Sequence, residues 1–198
     1  MAPAPTIGVL ALQGDFEEHM EALDAVGVPA AAVRTAGQLA HVGALIVPGG
    51  ESTSMAKLMD AYDLREPLRA FARSGKPVWG TCAGMILLAD RIVERRPEPL
   101  GLMDMLVRRN GFGRQVDSFE TALDVAGLDG GPFHAVFIRA PAVVETGPAV
   151  EVLATLSDGT VVAARQANLL ATAFHPELTS DRRMHARFAG MLAAEAAR

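Results

Sequence analysis

The stretch Pro77–Leu88, PVWGTCAGMILL, predicts a short buried strand, one abrupt turn and then a helix. The single cysteine of the chain, Cys82, falls at the turn, with Gly80 and Gly84 two residues away on either side. This G-x-C-x-G spacing is the thiol counterpart of the G-x-S-x-G nucleophile elbow, in which a strained turn presents the nucleophile. Glycines suit such a turn because a Cβ atom at either position would crowd it. The stretch therefore predicts a strand–turn–helix unit.

Cys82 has two interpretations on this local sequence. As a nucleophile, its sulfur would lie at a helix N-terminus, where unpaired N–H groups and the helix dipole favour the thiolate. The N–H of Ala83 could then face a developing oxyanion. As a structural residue, Cys82 would be a small buried hydrophobe, which is the commoner fate of a lone cysteine. The local sequence leaves both interpretations open.

Composition and charge narrow the class of protein. The 198 residues are 50% hydrophobic and poor in aromatics, which suits one domain, residues 1–198, built on a parallel sheet covered by helices. The formal net charge is −5, and no basic cluster alternates with aromatic residues. Nucleic acid is therefore not an expected partner.

Cysteine usage and the N-terminus predict the compartment. A lone cysteine excludes an internal disulfide and agrees with a reducing environment. The segment Met1–Thr6 has no basic region, and the apolar run Ile7–Leu12 is too short for a signal peptide or a membrane span. We expect a cytoplasmic protein that does not associate with a membrane.

Apolar runs alternate with amphipathic segments in the N-terminal part, in the order β-α-β-α-β, which predicts a parallel sheet with right-handed crossovers. Later, Ser157–Gly159 predicts a hairpin turn inside an antiparallel meander. The expected fold is a three-layer α/β fold, with a mostly parallel central sheet, an antiparallel C-terminal portion and helices on both faces. The predicted strands are Thr6–Leu12, Val28–Arg34, Ala44–Val47, the strand before Cys82, Val150–Leu156, Thr160–Arg165 and Asn168–Phe174, and the predicted helices are Asp15–Val26, Ser52–Ala61, Leu64–Arg73 and Asp181–Ala196.

A second polar pair, His175 and Glu177, follows the last predicted strand. In extended backbone, residues i and i+2 point the same way, and the intervening proline keeps His175 out of the helical region, so the two side chains can lie side by side. A histidine oriented by a carboxylate is the general base that a cysteine nucleophile needs. The alternative is an ordinary surface pair. Ligands of open α/β sheets bind at the carboxyl ends of strands, where Gly49-Gly50, Cys82 and His175 are all predicted to lie.

The other histidines carry no comparable signal. They are His19, His41, His134 and His185. None forms a metal-ligand spacing with the cysteine, so we expect them to be solvated or structural and expect no metal site.

The two motifs resemble a known family. Gly80–Gly84 with His175–Glu177 resembles the Cys-His-Glu triad of the class I glutamine amidotransferases. Further runs are more selective and extend the resemblance, over essentially the whole chain, to the glutaminase subunits of pyridoxal 5′-phosphate synthase. These runs are Leu12-Gln13-Gly14-Asp15, Gly49-Gly50-Glu51-Ser52-Thr53, Arg109-Asn110 with Gly113-Arg114-Gln115, and Phe137-Ile138-Arg139-Ala140-Pro141.

The resemblance implies a flavodoxin-like amidotransferase fold and the hydrolysis of L-glutamine to L-glutamate and ammonia. It implies Cys82 as the nucleophile, His175 as the acid–base and Glu177 as its orienting carboxylate. It also implies an oxyanion hole formed by the N–H groups of Gly50 and Ala83. The glutamine site that it implies consists of Gly49, Gly50, Glu51, Arg109, Ile138 and Arg139.

The destination of the ammonia also follows from the resemblance. The run Gly49–Thr53 lacks the lysine of a phosphate-binding loop, and we expect no cofactor. The resemblance implies that ammonia passes to a separate (β/α)₈ synthase subunit in a large hetero-oligomer. It further implies that docking to the synthase activates the glutaminase by organising the oxyanion hole.

Three other interpretations stay open. The glutaminase subunit of imidazole glycerol phosphate synthase shares the triad but is expected to differ at Gly49–Thr53 and Arg109–Gln115. A non-catalytic amidotransferase-like binding module would normally have lost a member of the triad. A peptidase-like elbow protein shares the strand–Cys–helix turn, but is not expected to combine the His-Pro-Glu run with a glutamine site.

Overall fold

The computed structural model describes residues 6–112 and 118–196. Gly113, Arg114 and Gln115, which belong to one of the selective runs, and nearly all of the segment Met1–Thr6 lie outside the described residues. Within them, the strands are β1 (Ile7–Leu10), β2 (Ala30–Val33), β3 (Ala44–Val47), β4 (Val78–Thr81), β5 (Ala89–Ile92), β6 (Met103–Arg108), β7 (Ser118–Leu123), β8 (Phe133–Ile138), β9 (Ala142–Thr146), β10 (Glu151–Thr155), β11 (Val161–Gln166) and β12 (Leu169–Thr172). The α-helices are α1 (Phe16–Ala25), α2 (Ala36–Leu39), α3 (Ser52–Ala61), α4 (Arg65–Arg73), α5 (Ala83–Leu88) and α6 (Arg183–Ala196), and Pro176–Leu178 forms a 3₁₀ turn.

The main sheet has its strands in the order β2-β1-β3-β4-β12-β11-β9-β6-β5, with β10 paired to β11. From β2 to β12 every pairing is parallel. This is the 2-1-3-4-5 order of flavodoxin-like folds, in which β12 takes the fifth place although it comes last in the chain. The predicted mostly parallel α/β fold is confirmed.

The antiparallel portion begins on the far side of β12. The strand β11 pairs antiparallel with β12, β10 and β9, as the predicted hairpin and meander require. The middle of the chain adds strands β5 to β9, whose bounds the sequence did not predict. Two of these, β7 and β8, form a separate antiparallel hairpin.

Helices cover both faces of the sheet. The central strands β1, β3, β4 and β12 are buried along their whole length, which explains why they are continuously apolar rather than alternating. α1 packs against α6 in one helical layer, and α3 packs against α5 in the other. Among residues 6–112 and 118–196, every helix is too short or too polar to span a membrane.

Candidate active site

The nucleophile elbow is formed where β4 ends and α5 begins. Cys82 has φ 47° and ψ −103°, a conformation that L-residues rarely adopt. A Cβ atom on Gly80 would lie 2.5 Å from the carbonyl oxygen of Gly84, and one on Gly84 would lie 2.0 Å from the carbonyl oxygen of Val47. Both glycines are therefore required sterically, because the chain has to pass this close to itself and to β3.

His175 and Glu177 lie just beyond the neighbouring strand β12. The N–H of His175 donates to the carbonyl of Val136 at 2.8 Å, which ties the segment to β8. Nδ1 of His175 is 2.7 Å from Oε1 of Glu177, and both residues are only 4% exposed. Since Nδ1 is engaged, Nε2 is the nitrogen left for the thiol of Cys82.

The electrostatics of His175 favour its charged form. Burial lowers its pKa, but hydrogen bonds with Asp15, Cys82 and Glu177 outweigh burial and raise the pKa to about 12. Burial raises the pKa of Glu177, and its contact with His175 acts in the opposite direction. An imidazolium between a thiol and carboxylates stabilises a neighbouring thiolate and holds a proton ready for a leaving group.

Asp15 is a second carboxylate at this imidazole, a role that the sequence did not reveal. Its Oδ2 lies 3.4 Å from Nδ1 of His175. A Cβ atom on Gly49 would lie 2.5 Å from Cε1 of His175 and 2.8 Å from Oδ2 of Asp15. A side chain at position 49 would therefore collide with the imidazole of His175 and with Asp15, which pack directly over this backbone.

Gly50 and Ala83 present the predicted oxyanion donors. Ala83 is the first residue of α5, so its N–H has no acceptor within the helix. Gly50 has φ +147°, and its N–H donates to no acceptor among the described residues. The side-chain oxygen of Gln13 accepts from the N–H of Glu51 at 2.9 Å and holds this loop in place. Two backbone amides are therefore available to a ligand.

Glu51 and Arg109 form an ion pair beside this loop. Glu51 caps α3 by accepting from the N–H groups of Thr53 at 3.0 Å and Ser54 at 2.7 Å. Burial raises its pKa, but these hydrogen bonds outweigh burial and lower the pKa to about 2. Nη2 of Arg109 is 3.1 Å from Oε1 of Glu51, and its Nη1 donates to the carbonyl of Arg96 at 3.1 Å. The carboxylate of Glu51 and the guanidinium of Arg109 are thus paired with each other.

The strand β8 ends at Ile138 near the elbow, and Arg139 follows directly after it. The carbonyl oxygen of Ile138 lies 3.9 Å from Sγ of Cys82, so the backbone of this strand reaches the thiol. Arg139 has φ 42° and is exposed, and it forms no ion pair with any described residue. Its charge remains available for an anionic group.

A metal ion has one geometrically possible position in the described part of the chain. Ligand atoms of Asp15, His175 and Glu177 lie within 4.8 Å of one another. Both carboxylates, however, approach the same ring nitrogen of His175. That arrangement fits a shared proton rather than separate ligands around an ion.

Comparisons with known proteins identify the family of the chain. The profile of the SNO glutamine amidotransferase family matches residues 9–194. The chain belongs to this family.

This glutamine amidotransferase has extensively similar relatives. It is 59% identical over 198 residues to the pyridoxal 5′-phosphate synthase subunit PdxT of Acidothermus cellulolyticus, covering 97% of this chain and 96% of the relative. It is also 59% identical over 189 residues to PdxT of Herpetosiphon aurantiacus, covering 94% and 100%. A crystal structure described as a glutamine amidotransferase superposes with a TM-score of 0.89 at 50% identity, covering 94% of this chain and 98% of that one.

The amidotransferase also contains a buried histidine pair that the sequence did not connect with the site. His19 and His185, which were expected to be solvated or structural, are both fully buried. The ring of Trp79 lies edge-on to each, with centroids 5.8 Å from His19 and 5.1 Å from His185. The apolar position of His19 on α1 was the available signal, because a helix face that packs on a sheet buries whatever it carries.

Proposed function

We propose that this amidotransferase hydrolyses L-glutamine to L-glutamate and ammonia, with Cys82 as nucleophile, His175 as acid–base and Glu177 as its orienting carboxylate. One observation carries the proposal: a buried imidazole, held at Nδ1 by Glu177, interacts with the thiol of a sterically enforced elbow. This combination supplies a nucleophile, a proton donor and an orienting acid at the carboxyl ends of two central strands.

The reaction proceeds through a covalent intermediate. The Cys82 thiolate attacks the side-chain amide carbon of glutamine, and the N–H groups of Gly50 and Ala83 stabilise the oxyanion. His175 gives its proton to the departing nitrogen, so ammonia leaves and a γ-glutamyl thioester remains. His175 then takes a proton from water, the resulting hydroxide attacks the thioester, and glutamate is released with the thiolate restored.

Glutamine would be held by groups of both signs. Its α-ammonium fits the carboxylate of Glu51, and its α-carboxylate fits the guanidinium groups of Arg109 and Arg139. Gly49 and Gly50 supply the backbone beside the reacting amide, and Ile138 closes the pocket beside the sulfur.

The ammonia would pass to a separate (β/α)₈ synthase subunit that forms pyridoxal 5′-phosphate, in a large hetero-oligomer. The names of the relatives, subunits of that synthase, support this assignment. We take residues 1–198 as one glutaminase domain that needs no cofactor. Docking of the synthase would complete the oxyanion hole around Gly50.

The test is glutamate release by the wild type and by Cys82→Ala, each with and without the purified synthase subunit. The wild type should be stimulated by the synthase, and the folded Cys82→Ala protein should lose at least about 10³-fold in rate in both conditions. A folded Cys82→Ala protein that keeps a substantial part of the rate contradicts the nucleophile. Equal wild-type rates with and without the synthase contradict activation by docking.

A further inference from the structure

A line of buried polar side chains continues behind Glu177. Nε2 of His19 lies 3.3 Å from Oε2 of Glu177 and 3.1 Å from Oγ1 of Thr81. Its Nδ1 lies 2.9 Å from Nε2 of His185. All four residues are buried, and they come from α1, β4, α6 and the turn after β12. The line therefore crosses the protein from the last helix to the triad.

Glu177 needs a donor on the side away from His175. Its Oε1 is engaged by His175, whereas Oε2 is enclosed and has no partner of full hydrogen-bond geometry among the described residues. A buried carboxylate oxygen without a donor destabilises the folded state, because it has lost its hydrogen bonds to water and gained none in return. His19 Nε2 is the nitrogen that approaches it, so the tautomer of His19 decides whether the carboxylate is stabilised.

Both histidines are neutral in this setting. Burial, then the nearby His185 and His175, lower the pKa of His19 well below its usual value. Burial and the charge of Arg182 lower the pKa of His185 to about 3. Each ring then has one N–H donor and one acceptor.

Two arrangements of these protons are possible, and they differ in cost. With the proton of His19 on Nδ1, its lone pair on Nε2 faces the carboxylate, and His185 must keep a buried N–H at Nδ1, which has no partner in the described chain. With the proton on Nε2, the N–H of His19 lies between Oγ1 of Thr81 at 3.1 Å and Oε2 of Glu177 at 3.3 Å, and Nε2–H of His185 donates to Nδ1 of His19. Only an unpaired acceptor on His185 then remains, so the second arrangement is favoured.

We propose that His19 is a positioning residue that presents Nε2–H to Glu177, with its tautomer set by His185. The proposal rests on the proposed function, because it assigns His19 a role through the triad. His19 would keep Glu177 ionised and aimed at Nδ1 of His175, as the third member of a triad must be.

Other charged groups face the same carboxylate and bear on its titration. Asp15 raises the pKa of Glu177, and His175 lowers it. From the chain before α6, Nη1 of Arg182 donates to the backbone carbonyl of Glu177 at 3.2 Å. Loss of the His19 donor leaves these groups in place and removes one contact that stabilises the ionised form of Glu177.

The tautomer can be measured without any activity assay. In the intact chain labelled with ¹⁵N-histidine, His19, assigned by its loss in His19→Gln, should show a protonated Nε2 and an unprotonated Nδ1. A protonated Nδ1 on His19 overturns the proposal whether or not the chain hydrolyses glutamine.

The kinetic test compares His19→Leu, which removes the donor, with His19→Gln, which retains an N–H, both assayed with the synthase subunit. His19→Leu should lower kcat about 10- to 100-fold with KM little changed, and should move the acid limb of the pH profile upward by about one to two units. His19→Gln should stay close to the wild type in kcat and in the position of the acid limb. Phe188→Leu, which changes the same core next to Trp79, serves as the packing control and should leave the profile in place.

The outcomes separate the two proposals. A wild type without glutaminase activity overturns the proposed function, and the tautomer measurement still decides the role of His19. If the wild type is active and His19→Leu has the same pH profile, the positioning role is overturned. It is also overturned if the kcat of His19→Gln falls as much as that of His19→Leu. If His19→Leu does not fold, the tautomer and His19→Gln decide.

Discussion

The two sides of the active site are built differently. On the catalytic side, Cys82, His175 and Glu177 are 7%, 4% and 4% exposed, and two adjacent strand ends position them. On the substrate side, the side chains of Glu51 and Arg109 are 51% and 29% exposed and pair with each other. The sheet thus fixes the proposed nucleophile and its proposed base, whereas the charges proposed to bind glutamine are held by contacts that a ligand can replace.

This difference has an energetic basis. A partly exposed ion pair contributes about 1 kcal/mol or less, because water competes for both charges. Exchange of the Glu51–Arg109 contact for the ammonium and carboxylate of glutamine is therefore inexpensive. Moving the elbow would instead break buried backbone packing. Substitutions on the catalytic side should therefore lower the free energy of unfolding, and those on the substrate side should lower the affinity for glutamine.

The largest effect is expected from Gly84→Ala. The new Cβ would lie 2.0 Å from the carbonyl oxygen of Val47, a backbone atom that no rotamer change can move aside. The free energy of unfolding should fall by about 4 kcal/mol or more, or the chain should fail to fold. Urea unfolding followed by circular dichroism measures this.

The matched control is Gly190→Ala in α6, where a Cβ would meet no atom within 4 Å. It should stabilise the protein by about 0.5–1 kcal/mol, since alanine favours a helix interior over glycine. If Gly84→Ala matched the wild type in stability, the steric account of the elbow would be wrong.

A smaller effect is expected from Arg109→Gln on the substrate side. Loss of a charged hydrogen bond to the carboxylate of glutamine should raise KM about 10- to 100-fold, with kcat and the free energy of unfolding little changed. Steady-state glutamate release with the synthase present measures it. Arg108→Gln, at the exposed end of β6, is the control and should leave KM unchanged. A fall in kcat at constant KM would contradict the assignment to binding.

The smallest effect is a pH dependence of stability. The pKa of His175 is raised from 6.5 to about 12, so the folded state binds a proton that the unfolded state has lost above about pH 6.5. This contribution is fully present below pH 6.5 and is lost as pH rises toward 12. From pH 7 to 8 it lowers the free energy of unfolding by at most about 1.4 kcal/mol.

The double variant His175→Gln/Glu177→Gln removes both titrating groups. Urea unfolding at pH 7, 8 and 9 should show a shallower loss of stability in the double variant than in the wild type. If the free energy of unfolding fell with pH at the same slope in both proteins, the protonation of the buried pair would not differ between the folded and the unfolded state.

Much of the fold was predictable because, in the parallel half, each strand and helix is delimited by its own local sequence. The strand Ala44–Val47 and the helix Ser52–Ala61 have the predicted bounds, since a continuous apolar run and a glycine-rich turn delimit them. The strands β5 to β9 were not delimited, because their short alternating segments depend on partners distant in the chain. The pairing of β6 with β9 is one example.

The site divides in the same way. The Gly-x-Cys-x-Gly and His-x-Glu spacings are local, so the sequence could predict that Cys82 and His175 lie at strand ends. Asp15 and His19 have roles that only three-dimensional packing reveals, because each reaches the triad from α1 or the loop before it. No local pattern distinguishes a helical histidine that faces a carboxylate from one that faces solvent.

Trp79 gives this arrangement an optical consequence. It is the only tryptophan of the chain, it is fully buried, and its Nε1–H crosses from β4 to β12 to donate to Oγ1 of Thr172 at 3.1 Å. Its indole therefore lies between the strand that leads to the nucleophile and the strand that leads to the base. The tryptophan emission of the protein comes from this one position, so under excitation that tryptophan alone absorbs, any event that shifts the two strands or the neighbouring histidines can be followed without a label.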